Sequence, residues 1–476
     1  MVKKLHIFFY LFLFPFLINA QLNKVVEDWK NDKELKNASI SFCVLDINTS
    51  NIILEQNSHQ SLIPASTLKV VTTSAALGIL GENFRYETKI YYTGNLDKKS
   101  GILDGDIIIF GGGDPTLQSE YFSKDSLLIT DKWASIIKNK GIKEIKGSII
   151  GDASNFERTI PDDWIWSDIN NYFGATPCGL SFMDNKFKIL FTSNNSGEPA
   201  FIQNTFPVYL SKPYNITSNV ISKGTEDEAF VYGDPFSFTK IVSGNIPPNK
   251  KNYEIEASLP DPALLCAEKL FLSLKKIGVI CNENSIKSNF QKNKKIDSWQ
   301  LLYSHISLPL NKIIYYTNQF SNNLFCESLL LTLGNGNIIN GITAVKTYWQ
   351  KRGLDINELF MADGSGLSRA NTITTSFQAK LLSKISRDTV NGKFIMNSLP
   401  LAGKSGSMIN IGRGKYIENN MCAKTGYIKR VRGFCGFVKS RSGKNIAFSV
   451  LFNNFNCSPL SAKLKIEKFL IELGEL

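Results

Sequence analysis

The chain has 476 residues, 43% hydrophobic and 20% charged, which excludes a disordered or fibrous protein and leaves room for two or three domains. Lysine and arginine outnumber the acids by 54 to 42, and the formal charge of +12 suits a polyanionic neighbourhood such as cell wall or an anionic membrane surface. A nucleic-acid partner is set aside, because no compact basic tract and no Gly-aromatic signature of an RNA-binding sheet is present.

The first twenty residues carry Lys3 and Lys4, an apolar run from Ile7 to Ile18, and Asn19-Ala20 before Gln21. That is the layout of a cleavable secretory signal over 1–20, so an exported, periplasmic protein is expected. The run is too short to cross a bilayer comfortably, and no stop-transfer segment follows, which disfavours an uncleaved anchor or any stable membrane span. Loss of Lys3 and Lys4 takes the charge to +10.

Periodicity then predicts a helix from Asn23 to Lys36, a hairpin of strands Ser39 to Asp46 and Ile52 to Glu55, and a helix from Ser66 to Leu80 after Pro64. From Arg85 to Gln300 the pattern changes to short alternating strands, among them Tyr86 to Tyr92, Gly105 to Gly111, Glu144 to Asp152, Lys186 to Thr192 and Ala229 to Gly233. Within that stretch Asp261 to Gly278 reads as a helix that returns the chain to the first domain. Helices follow at Ser321 to Leu333, Ile342 to Arg352 and Thr375 to Arg387, then strands at Met421 to Ile428, Arg432 to Lys439 and Asn445 to Asn453. Ser458-Pro459 opens a terminal helix with Leu464, Phe469, Leu470 and Leu473 on one side. The expected fold class is α/β multidomain (α+β), with one discontinuous domain over 21–84 and 298–476 and a β-rich inserted region over 85–297.

After the signal only His59 and His305 remain, neither in a catalytic context, so a serine enzyme here would not use a histidine base. Eight cysteines occur without a Cys-x-x-Cys pair, which argues against a zinc or redox site; no metal and no cofactor is expected. They read as small core residues, with a disulfide between Cys422 and Cys435 across the predicted hairpin left open.

Ser66-Thr67-Leu68-Lys69 places a hydroxyl and an amine on one helix face. Serine is a weak nucleophile until a neighbour takes its proton, and a lysine can do so only when neutral, a state favoured by burial or a second cation. Ser135 to Lys138 and Ser273 to Lys276 share the spacing, so the motif does not stand alone. Ser321-Asn322-Asn323 adds a hydroxyl to relay a proton and an amide to hold a peptide group, and it opens an amphipathic helix, unlike Ser193-Asn194-Asn195 in turn-like sequence. Lys424-Thr425-Gly426 lies in a predicted strand that can pair with an extended substrate while Lys and Thr hold its carboxylate, unlike Lys404-Ser405-Gly406, which lies in a turn. The three motifs in this order are the set of the penicillin-binding proteins and β-lactamases.

With those motifs stand Gly112-Gly113-Asp114-Pro115-Thr116-Leu117, Asp163-Trp164-Ile165-Trp166-Ser167-Asp168, Tyr172-Phe173-Gly174-Ala175, Asp363-Gly364-Ser365-Gly366-Leu367-Ser368-Arg369 and Ser398-Leu399-Pro400-Leu401-Ala402-Gly403, and 252 positions separate Lys69 from Ser321. On these residues the chain resembles the class C low-molecular-mass penicillin-binding proteins, the DacB-type D-alanyl-D-alanine carboxypeptidase/endopeptidase family. The resemblance implies a penicillin-binding/β-lactamase-like transpeptidase domain with inserted accessory domains, peptidoglycan stem peptides as substrate and β-lactam antibiotics as covalent inhibitors. It implies Ser66 as nucleophile, Lys69 as base, Ser321 as proton relay, Asn323 as holder of the acyl chain, and Lys424, Thr425 and Gly426 around the terminal carboxylate. The backbone N–H groups of Ser66 and Tyr427 would form the oxyanion hole. Tyr427 replaces the Thr or Ser usual after Lys-Thr-Gly. Asp168, Phe173 and Arg369 fall where some relatives bind a diamino-acid side chain, with an interdomain salt bridge and a core Phe as the plainer account; Lys429 departs from the polar amide of such relatives.

Two rival readings stand beside this one. A class A β-lactamase would carry Glu-x-x-x-Asn between the second and third motifs, but Glu327, Glu358 and Glu418 are followed at the fourth position by Leu331, Ala362 and Cys422. A non-catalytic wall-binding protein of the same fold would have no use for Ser66, Lys69, Ser321 and Lys424 together. The choice between carboxypeptidase and endopeptidase, and the oligomeric state, are not legible.

Overall fold

Residues Met421–Ile428, Val431–Lys439 and Asn445–Asn453 are dense in aromatic and β-branched side chains, and nearly every position of the last two is buried. Such continuous apolar runs belong to strands covered on both faces. The computed structural model describes residues 21–122, 128–291 and 298–476, and the expected signal at 1–20 lies outside them. The chain divides into two units, one formed by residues through Glu82 with Ile314–Asn322 and Ile342–Leu476, the other by Asn83–Ile313 and Asn323–Gly341.

The first unit is built on an antiparallel five-stranded sheet. Numbering its strands β1 (Ser39–Asp46), β2 (Ile52–Gln56), β3 (Met421–Ile428), β4 (Val431–Lys439) and β5 (Asn445–Asn453), the order is β2-β1-β5-β4-β3. Register runs from Ser39 opposite Asn453 to Asp46 opposite Ile446, and from Met421 opposite Val438 to Ile428 opposite Val431. Helix α1 (21–31) and the terminal helix Pro459–Glu475 share one core with this sheet, where the Trp29 ring lies 4.8 Å from Phe452 and 5.1 Å from Phe469. Burying each such aromatic contributes about 1.5–3 kcal/mol. Helix Thr375–Arg387 packs on β1 and β5, with Ala379 against Cys43 and Leu45.

Several local expectations change for identifiable reasons. Helix α1 stops at residue 31 rather than 36, because the Asp32 carboxylate takes the Glu34 N–H and forms a turn. Ser458 caps the terminal helix as expected, accepting from Ser461 N. Leu464, however, is 54% exposed, since it stands about 140° around the helix from Phe469, off the buried stripe. Cys422 and Cys435 are not partners: Cys422 lies opposite Phe437, Cys435 opposite Lys424, and all eight cysteines are free.

The second unit holds sheets of five, four, three and three strands. The run expected as one strand from Glu144 to Asp152 is two, Glu144–Ile145 and Ile149–Asp152, in different sheets. Gly147 turns between them where a Cβ would lie 2.3 Å from Gly105 O. Strand Gln300–Ile306, expected in the discontinuous domain, pairs instead with Glu87–Tyr92 and belongs here. Helix Pro262–Lys276 does not return the chain to the first unit. It packs on helix Ile129–Asn139 and on strands Ile149–Asp152 and Ile286–Asn289, and its Leu265, Leu270 and Leu274 join one buried cluster with Trp133 and Ile137.

Candidate active site

Ser66 is set by a braced turn. The Asn453 side chain brackets the approach, accepting from Ile63 N at 2.9 Å and donating to Ile63 O at 3.1 Å. Ala65 then takes a positive φ of 46°, a conformation costing an alanine about 1–2 kcal/mol, and Ala65–Leu68 closes as a 3-10 turn. Ser66, expected at the N-terminus of a helix from Ser66 to Leu80, lies in this 3-10 turn, and helix α2 follows directly from Lys69 to Leu80. Thr67 O accepts from Gln378 Nε2 at 3.1 Å, and Gln378 is fixed in turn by Ser449 at 2.8 Å.

From that turn Lys69 Nζ donates to Ser66 Oγ at 2.9 Å and to Ser365 O at 2.8 Å, with the lysine fully buried. The Lys69 amine therefore meets the burial condition for a lysine base. Ser365 lies in a loop organised by the Asp363 carboxylate, which accepts from Gly366 N at 2.7 Å, Ser368 N at 2.6 Å and Asn371 Nδ2 at 2.8 Å. Gly366 has φ +83°, and a Cβ there would stand 1.9 Å from Ala65 O, so only glycine lets this loop reach the Ser66 turn.

A second lysine–serine pair lies on the edge strand β3. Lys424, also fully buried, donates to Ser321 Oγ at 2.8 Å and to Thr425 O at 2.9 Å. Ser321 does not open a helix as expected; it holds φ 56° in the turn between helices Leu310–Gln319 and Asn323–Leu333. That turn is tied down by Asn318 Nδ2 to Ser398 Oγ at 2.8 Å and Gln319 Nε2 to Ser398 O at 3.2 Å. The first part of β3 is covered by the loop that leads from Ser398 towards it, through Ala402 N to Met421 O and Ala423 N to Pro400 O, both 2.9 Å.

Gly426 passes close to the nucleophile turn: a Cβ there would lie 2.7 Å from Pro64 O and 3.0 Å from Ser66 N. Thr425 Oγ1 donates to Ser407 Oγ at 2.7 Å. Tyr427 directs its bulk outward, 46% exposed, with its ring 5.4 Å from the Arg432 guanidinium. Arg369 is half-buried and donates to Lys429 O at 3.2 Å.

Asn323, Asp168 and Phe173 belong to the second unit. Asn323 Nδ2 donates to Phe173 O at 2.7 Å, so two of the three meet. Asp168 stands on the one-turn helix Trp166–Ile169 and Phe173 on the 3-10 turn Tyr172–Gly174. Asn171 holds this segment, accepting from Val231 N at 3.0 Å and donating to Ser167 O at 2.6 Å. Beside it the buried Lys240 donates to Asn170 Oδ1 and to Asp234 O, the latter at 2.7 Å, and burial pushes its amine down to about 8.

None of the repeated motifs assembles like this. Ser135 and Lys138 are exposed and bond backbone carbonyls; Ser273 bonds Thr130, while Lys276 reaches Asp131; Ser193 donates to Pro247 O; Lys404 pairs with Glu418 on the surface.

A family model described as the D-Ala-D-Ala carboxypeptidase 3 (S13) family matches residues 21–471. The chain belongs to the S13 family. Among curated proteins this S13 chain is 27% identical to D-alanyl-D-alanine carboxypeptidase DacB of Haemophilus influenzae, over 90% of this chain and 88% of that one. It is 26% identical to the D-alanyl-D-alanine carboxypeptidase of Actinomadura sp. strain R39, over 92% and 82%. Among solved structures, penicillin binding protein 4 (dacB) from Haemophilus influenzae superposes with a TM-score of 0.78 at 25% identity, covering 94% of this chain and 98% of that one. The same protein was also solved in complex with a β-lactam.

Beyond the three motifs of the candidate site the structure adds Asp363, Ser365, Asn371 and Ser407 in the first unit, and in the second the buried Lys240 beside Asn170. The stretch from Asp363 to Arg369 was visible only as a resemblance, because what it supplies is a main-chain carbonyl and the turn that aims it. Ser407 follows the discarded Lys404-Ser405-Gly406 and has no signal of its own. Lys240 lies in a strand where nothing in the pattern marks it.

Proposed function

We propose that Ser66 is the nucleophile through which this S13 chain acts as a serine-type D-Ala-D-Ala carboxypeptidase and/or endopeptidase on peptidoglycan stem peptides. The observation that carries the assignment is the 2.9 Å contact from the buried Lys69 amine to Ser66 Oγ. Lys69 takes the Ser66 proton as Oγ attacks the carbonyl between the two D-alanines. The N–H groups of Ser66 and Tyr427 hold the developing oxyanion, supported by the close approach of Gly426 to Ser66 N. Ser321, bonded to Lys424, passes a proton to the departing amine, while Lys424 and Thr425 meet its carboxylate. Water then releases the acyl-enzyme. The roles of Asn323 on the acyl chain, and of Asp168, Phe173 and Arg369 on a diamino-acid side chain, rest on motif resemblance.

Among the described residues no helix is long and apolar enough to cross a membrane, and the sequence of residues 1–20 supports export to the periplasm. The test is digestion of purified muropeptides with mass spectrometry, together with labelling by a fluorescent penicillin. Loss of terminal D-alanine from monomers reports carboxypeptidase action, and cleavage of cross-linked dimers reports endopeptidase action. Ser66→Ala is expected to abolish both labelling and cleavage; labelling that survives it assigns the nucleophile elsewhere.

A further inference from the structure

Ser407 is a side chain at this site that the three motifs leave out. It is exposed, in the 3-10 turn Gly406–Met408, and its Oγ accepts the Thr425 hydroxyl at 2.7 Å. The turn is rigidly framed. Met408 is fully buried, Gly403 N donates to Met408 O at 3.0 Å, Leu401 N donates to Ser405 Oγ at 3.0 Å, and a Cβ on Gly406 would lie 2.5 Å from Gln319 O. An exposed hydroxyl on so fixed a frame is already oriented before anything binds. Having accepted one bond from Thr425, the Ser407 oxygen keeps its own proton for an acceptor arriving from solvent. The loop that carries it covers β3 from Met421 to Ala423, so Ser407 stands beside Thr425 just past that cover.

We propose that Ser407 is a specificity-determining residue whose hydroxyl, paired with Thr425, donates to the carboxylate of the substrate's leaving residue and so selects free-acid ends over blocked ones. The inference rests on Thr425 meeting that carboxylate. A carboxylate offers about four lone-pair sites, and the buried Lys424 with one threonine hydroxyl leaves room for a further donor. A hydrogen bond to a charged group is worth enough to change affinity by about tenfold or more.

The test compares an acyl-D-Ala-D-Ala peptide with its C-terminal amide, measuring kcat and KM on the full chain by mass spectrometry of the released residue. Wild type is expected to prefer the free acid. Ser407→Ala is expected to shrink the acid-to-amide ratio of kcat/KM by about tenfold or more, mainly through KM for the acid. Ser407→Thr restores the ratio, and Ser407→Cys, which keeps the size but offers a weak donor, behaves as Ser407→Ala does. A ratio that stays at the wild-type value in both the Ala and Cys variants overturns the proposal. Equal losses on both peptides do so too, since they signal a merely structural role. A wild-type protein that cleaves neither peptide and takes no penicillin label overturns the reading of the site itself, a result seen before any Ser407 variant is made.

Discussion

Both units bury lysines completely, but they do so with different partners. Among the described residues Lys69, Lys424 and Lys240 are each fully inaccessible, and each donates to a main-chain carbonyl. In the first unit a further partner is a hydroxyl, Ser66 for Lys69 and Ser321 for Lys424. In the second it is the amide oxygen of Asn170. A hydroxyl can give its proton to a neutral amine and take it back, whereas an amide oxygen has none to give. Burial alone therefore does not set the lysines of the proposed site apart; a hydroxyl partner does.

The sharpest way to break this contrast is Lys69→Met. The substitution keeps the volume, removes a buried amine, and is expected to lower the rate of acylation by penicillin about 10²- to 10⁴-fold, the range for loss of a general base. Stability should fall somewhat, because the buried Ser365 carbonyl loses its Lys69 donor at a cost of about 1–3 kcal/mol. Acylation at the wild-type rate in a folded Lys69→Met protein would remove Lys69 from the chemistry.

Gly366→Ala should have a smaller effect. The added Cβ meets Ala65 O, so either the Asp363 loop or the Ser66 turn has to shift. A displacement of about 1 Å near reacting groups can cost about 100-fold in rate, with overpacking adding about 1–3 kcal/mol of destabilisation. Stopped-flow acylation and thermal melting read the two separately. A rate loss without any loss of stability would mean that the loop moved freely, and the rigid placement of Ser365 O would then be wrong.

The legibility of the molecule follows the same division. Side chains at fixed spacing were readable as pairs: Lys69 bonds Ser66 and Lys424 bonds Ser321, although both serines stand in turns ahead of the helices expected to start at them. The terminal sheet was readable too, since strands buried on both faces leave continuous apolar runs. Chemistry supplied by the main chain was not. The carbonyl of Ser365 carries no residue preference, and the glycine that permits its approach, Gly366, does so because of Ala65, a neighbour three hundred residues away in sequence. Polar residues serving one local segment were equally silent, as Lys240 with Asn170 shows, because no periodicity encodes a single buried bond. Leu464 failed for the opposite reason: apolar identity alone does not put a side chain on the buried stripe.

Lys240→Met should have the smallest effect on chemistry, and it tests the other half of the comparison. Acylation by penicillin should stay at the wild-type rate, because Lys240 bonds the Asn170 amide oxygen and the Asp234 carbonyl, neither of which has a proton to exchange. Stability should fall, since Asn170 Oδ1 and the Asp234 carbonyl each lose a donor at a cost of about 1–3 kcal/mol. The pH dependence separates this structural role from a generic defect. Burial lowers the Lys240 amine from its ordinary 10.5 to about 8. Between those values the unfolded chain holds a proton that the folded chain has lost, so the burial penalty is in full force below pH 8 and is relieved as pH rises towards 10.5. The melting temperature of the wild type should accordingly gain on that of Lys240→Met across this window. A difference between the two that does not vary with pH would mean that Lys240 titrates as an ordinary surface lysine, and the contrast between the two kinds of buried amine would lose its second member.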